Sequence, residues 1–131
     1  MEKVVLEKKS RFGFSETVET LLVKAGKRNW QIPAVHDLQQ SLAKSGKSVR
    51  PVKVVEMCKP EYSGQMLELS DERIISVMMP CRISVYEKDD GLTYIGLMNT
   101  SNIISGLPAI IARVMKEASG ETLEMVSEIS E

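Results

Sequence analysis

The hydrophobic and polar positions of this chain fall into alternating short-period and helical-period segments. Val4, Val5 and Leu6, flanked by charge, predict a first strand over Lys3 to Lys9. Arg11-Phe12-Gly13-Phe14 breaks it. Ser15 is the expected N-cap of a helix with Glu16 and Glu19 in its first turns, Val18, Leu21, Leu22 and Ala25 on one face, and Gly26 as its stop. A short strand around Trp30 to Ile32 precedes Pro33. A second helix is expected near His36-Asp37, with Asp37 and Gln40 as a capping box, Val35, Leu38 and Leu42 buried, and Gly46 at its end.

Val52 to Cys58 is β-branched and lies between prolines, which predicts the third strand. Pro60 suits the first turn of a helix running from Glu61 to Leu69 and stopping at Ser70-Asp71. Residues 74–79 have strand composition, with Pro80 interrupting. Cys81 to Glu87 and Leu92 to Met98 are the fourth and fifth strands, joined through Asp90-Gly91. A two-residue loop there would set Ile83 opposite Met98 and Cys81 opposite Thr100. Leu107, Ile110, Ile111, Val114, Met115 and Ala118 then recur at helical spacing, with Pro108 near the start and Gly120 after. Residues 121–131 read as an acidic terminal helix or tail.

The predicted order is therefore β-α-β-α-β-α-β-β-α. It describes a single mixed α/β domain of the α+β class over residues 1–131, its core at about 2–118, with helices mainly on one face of a mixed sheet. The length supports one core without staples. An apolar fraction of 43% and a charged fraction of 27% are those of an ordinary globular protein. No apolar run is long enough to cross a bilayer, and the acidic N-terminus does not suit a signal peptide, so a cytoplasmic protein without membrane partners is expected. A pI of 5.9, 5% aromatics and scattered basic residues argue against nucleic acid. Charge is unevenly placed: residues 1–60 balance at +6 and residues 61–131 at −7. That asymmetry fits two solvated faces of unequal sign, an anionic ligand near the first half, or pairing between two copies.

The candidate chemistry rests on two cysteines at element boundaries. Cys58 ends a strand just before a helix N-terminus and next to Lys59, a setting that favours thiolate. Cys81 opens a strand on the same face as Ile83 and Val85. Three readings follow. Cys58 and Cys81 could form a redox or sulfur-carrying pair. They could both be packed, in a non-catalytic module binding a small anionic or sulfur-containing ligand or a partner, with Arg82, Tyr86, Asn99 and Lys59 as contacts. They could bind soft zinc or copper with His36 as third ligand and Met57, Met78 or Met79 nearby, although C-x₂-C spacing is absent. No hydrolase, zincin or phosphate-loop motif occurs. The sequence names no cofactor and no reaction.

The set His36-Asp37, Val55-Glu56-Met57-Cys58-Lys59-Pro60, Met79-Pro80-Cys81-Arg82-Ile83-Ser84-Val85-Tyr86-Glu87 and Asp90-Gly91 resembles the domain of unknown function 302 family. The resemblance spans most of the chain, from the first strand to the helix around Met115. It implies a small intracellular α/β domain that tends to be a homodimer, and it brings no established activity. Lys59 and Arg28-Asn29-Trp30 depart from the family pattern.

Overall fold

The computed structural model describes Met1 and residues 4–131. Five strands, β1 (Val5–Lys9), β2 (Gln31–Asp37), β3 (Val52–Cys58), β4 (Cys81–Glu87) and β5 (Thr93–Met98), form one sheet in the order β1-β5-β4-β3-β2. All four pairings are antiparallel. The helices are α1 (Phe14–Lys27), α2 (Leu38–Ala43), α3 (Pro60–Leu67), α4 (Thr100–Ile103) and α5 (Ala109–Glu128), with a 3-10 helix over Asp71–Met78. The predicted start of the first strand at Lys3 lies outside the described residues.

The period-two pattern fixes the buried face. Val55 and Met57 on β3, Ile83 and Val85 on β4, and Ile95 and Leu97 on β5 share one side of the sheet and are buried. Val18, Leu21 and Ala25 of α1, and Ala118, Met125 and Val126 of α5, cover them. A smaller cluster of Met66, Ile75, Ile111 and Val114 joins α3, the 3-10 helix and the start of α5. Between these two clusters the helices do not close completely on the sheet.

Several predicted boundaries move, each for a local reason. α1 begins at Phe14, one residue before Ser15; its N-cap is Gly13, whose carbonyl accepts from the Thr17 hydroxyl at 2.7 Å. It runs through Gly26 to Lys27, and Asn29 takes the left-handed conformation (φ 66°) that the stop requires. β2 extends to Asp37 and contains Pro33, which an edge strand tolerates at the irregularity between Gln31 and Ala34. The Asp37 carboxylate does accept from Gln40 N at 2.9 Å, but α2 is six residues long and buries nothing. Val35, Leu38 and Leu42 are exposed there. The ambiguous residues 74–79 fall largely in the 3-10 helix, whose alternate apolar residues Ile75 and Met78 pack inward while Ile74 and Val77 face out.

The β4–β5 turn has one more residue than the two-residue reading allows. Gly91 N donates to Lys88 O at 2.9 Å, Gly91 has φ 79°, and Lys88 N donates to Leu92 O at 3.1 Å. This is a type I turn closed by a left-handed glycine. The ladder therefore pairs Ile83 with Leu97, not with Met98, and β5 begins at Thr93.

The largest correction concerns the C-terminus. Gly120 does not end a helix; α5 continues through it to Glu128. Thr122, Met125, Val126, Ile129 and Ser130 are buried, so the core extends well beyond residue 118. Ser130 also bridges Ser10, and the Arg11 Nε donates to Ser130 O at 2.7 Å, fastening the end of the chain to the first strand. Among the described residues no helix is long and apolar enough to cross a membrane.

Candidate functional site

The gap between the two clusters is a cavity of about 720 Å³ at the end of the sheet where β3 stops and β4 starts. α3 follows β3 directly because Pro60 opens its first turn, with Lys59 extended at the N-cap. The 3-10 helix brings the chain back, the Met79-Pro80 peptide is cis, and β4 begins at Cys81. These connections make one wall; α5 makes another through Met115, Ala118, Ser119 and Thr122.

Sulfur dominates the lining. Met57, Met66, Met78, Met79, Met98 and Met115 all line the cavity, as do Cys58 and Cys81. The chain has eight methionines and two cysteines, so Met1 and Met125 are the sulfur side chains outside it. A wall of unbranched thioethers is polarizable and adapts its rotamers to the shape of an apolar guest.

The two thiols are brought to the same cavity but from different strand phases. Cys81 pairs with Met57 in the ladder and shares the core face with Ile83. Cys58 lies one residue beyond Met57, on the opposite phase at the strand end, where its Sγ is 3.6 Å from Ser63 Oγ. Both are free thiols. Desolvation pushes the Cys81 thiol up, and the neighbouring Cys58 adds to this. Cys81 is exposed and lines the cavity.

One polar cluster stands in this apolar wall. Glu121, on the part of α5 beyond Gly120, accepts from Trp30 Nε1 at 3.0 Å and Lys59 Nζ at 2.8 Å on one oxygen. Its other oxygen accepts from the Tyr62 hydroxyl at 2.7 Å. Lys59 also sits 5.8 Å and 5.5 Å from the Trp30 and Tyr62 ring centroids, within cation–π range. The pair is well covered, with 11% and 15% side-chain exposure for Lys59 and Glu121. Burial alone would raise the Glu121 carboxyl, but the bonds from Lys59, Tyr62 and Trp30 outweigh it and hold the group below the usual carboxylate range. The hydrogen bond to Glu121, followed by burial, pushes the Tyr62 phenol up to about 12. Lys59 thus serves Glu121; the help it was predicted to give a Cys58 thiolate is directed elsewhere.

The remaining predicted contacts separate. Arg82 lines the cavity mouth. Tyr86 lies away from it, its hydroxyl donating to Glu7 and its ring stacked on Tyr94 at 6.2 Å. Burial, then Glu7, raises its phenol. Asn99 caps α4 and accepts from Ser101 at 2.8 Å. His36, on the edge strand, pairs with Glu56 and does not line the cavity. Among the described residues no three His, Cys, Asp or Glu side chains cluster as a metal site would require.

Glu121, Trp30 and Tyr62 were not among the predicted site residues. The available signal was Trp30, the one tryptophan in the chain, whose indole N–H needs a partner when buried. Glu121 was hidden by Gly120, which made its segment read as a tail.

No curated protein matches the chain. A crystal structure described as uncharacterized conserved protein DUF302 from Bacillus stearothermophilus is similar with a TM-score of 0.85 and 16% identity, over 95% of this chain and 97% of that one. That likeness supports the five-stranded fold. The family model described as Domain of unknown function DUF302 matches residues 6–129. Matched over nearly its whole length, the chain belongs to the DUF302 family.

Proposed function

We propose that this domain is a binding module for a small, largely apolar molecule held in the sulfur-lined cavity. The observation that carries the reading is the concentration of eight of ten sulfur side chains around one space of about 720 Å³. That volume lies within the range of drug-sized ligand sites, and the lining combines apolar walls with a few fixed polar groups. An apolar surface of this extent is costly to leave open to water, which gives a guest its driving force.

The test uses phenylnaphthylamine, an uncharged apolar dye that fluoresces on leaving water, with the full chain. The dye is expected to bind, and energy transfer from Trp30 in the cavity wall is expected to report it. Ala118→Phe, which places a ring in the cavity, is expected to abolish binding while circular dichroism is unchanged. Dye binding that is equal in both proteins contradicts the reading. Should the variant unfold, Met115→Phe at the partly exposed rim serves instead.

A second reading is supported by both thiols opening on the same cavity: a reversible disulfide. In it the Cys58 thiolate attacks oxidised glutathione, releasing one glutathione thiolate. The Cys81 thiolate then displaces the second glutathione from Cys58, so the protein loses two protons and two electrons to the oxidant. Intact mass measurement after incubation is expected to show the loss of two hydrogens, and Cys81→Ser a trapped glutathione adduct. Unchanged mass in both proteins removes this reading and leaves the binding module untouched. A soft-metal site would use the same thiols, without His36.

A further inference from the structure

The charged groups of the cavity differ in how far they are already paired. Its charged lining residues are Glu56, Lys59 and Arg82. Glu56 pairs with His36, on the neighbouring strand. Lys59 gives one of its three N–H groups to Glu121, leaving two donors. Arg82 is exposed at the mouth and makes no hydrogen bond or ion pair with any described residue. The Tyr62 and Trp30 donors are already committed to Glu121. Lys59 and Glu121 cancel in charge, and Arg82 is the cation of the lining without a counter-ion among the described residues. What remains is a guanidinium at the mouth and, in the wall, an ammonium with two of its three N–H groups outside that ion pair, with methionines beyond them.

From this we infer that the ligand is an amphipathic monocarboxylate: its head is bound by Arg82 and the free N–H groups of Lys59, and its alkyl or aryl body lies along Met66, Met78, Met79 and Met115. The inference rests on the binding-module reading and adds the chemical class of the ligand. A planar guanidinium donates two parallel hydrogen bonds to a carboxylate, which a neutral head cannot reproduce. Glu121 acts as a positioning residue, holding the Lys59 ammonium in the wall. An alkyl body of the same length without the charge would keep the apolar contacts and lose the head group's.

The experiment measures displacement of bound phenylnaphthylamine from the full chain by octanoate and by octanol. Octanoate is expected to displace the dye at about tenfold lower concentration, a ratio equivalent to about 1.4 kcal/mol. Arg82→Ala is expected to bring octanoate to the level of octanol, each displacement being referred to the dye affinity of the same variant, and Arg82→Lys to retain part of the preference. Arg82 is exposed, so neither change threatens the fold. Equal displacement by the two compounds, or a preference that survives Arg82→Ala, overturns the carboxylate assignment while leaving the apolar site standing. A dye that does not bind at all overturns both.

Discussion

At the residue scale, Glu121 is the position on which the site depends. It receives three hydrogen bonds: from Trp30 just before β2, from Lys59 at the N-cap of α3 and from Tyr62 in the first turn of α3. Removing its charge leaves a covered ammonium without its counter-ion, so Glu121→Gln is expected to destabilise the protein by about 2 kcal/mol at neutral pH. The sign with pH follows from the carboxyl being held below its ordinary value. The contribution is complete above the unfolded-state value, about 4.3, and is lost as pH falls through the lower folded-state value. Denaturant titrations should therefore show the gap between wild type and variant constant from neutral pH to about pH 5 and closing only in stronger acid. A gap that does not depend on pH would mean the glutamate acts through its shape alone. Sequence reading found Cys58, Cys81 and Lys59, because thiols and a cation at an element boundary are conspicuous. It missed Glu121 because one carboxylate among twelve acidic residues in the second half carries no local mark.

At the scale of elements, strands were easier to read than helix ends. β3 and β4 begin and end where their β-branched runs and flanking prolines predict. The errors gathered at glycines and at a turn. Gly26 and Gly120 are both helical, because burial on the opposite face of each helix outweighs the modest cost of an exposed glycine. At Gly120 an added Cβ would meet nothing within 4 Å. Gly120→Ala is thus expected to raise stability by about 0.5–1 kcal/mol, read as an increase in Tm. A decrease would mean that α5 breaks there. The β4–β5 turn shows why register cannot be taken from a dipeptide: Asp90-Gly91 occurs in both two- and three-residue loops, and only the extra residue sets Ile83 against Leu97.

At the scale of the whole molecule, the unequal charge of the two halves has an internal explanation. Lys9, Lys24, Arg28, Arg50 and Lys59 from the first half pair with Glu131, Glu128, Glu124, Glu87, Asp89 and Glu121 from the second. Most of these pairs are exposed, and each is worth little. They show that the asymmetry is met largely within one chain, and so it is no longer evidence for a second copy. The hydrophobic pattern laid down the sheet and its buried face. It did not reveal the cavity, because a gap between two clusters depends on how far α3, the 3-10 helix and α5 stand from the sheet, which no local period encodes. The methionines were visible one by one as core fillers; their convergence is a property of the folded chain.

That convergence also supplies the most direct test. With isotope-labelled methionine methyl groups, each of the eight methionines reports separately by heteronuclear magnetic resonance. On addition of phenylnaphthylamine, the methyl signals of Met57, Met66, Met78, Met79, Met98 and Met115 are predicted to shift, while those of exposed Met1 and core-buried Met125 stay in place. A spectrum in which no methyl moves, or in which Met1 and Met125 move as much as the other six, would contradict a ligand site in the cavity.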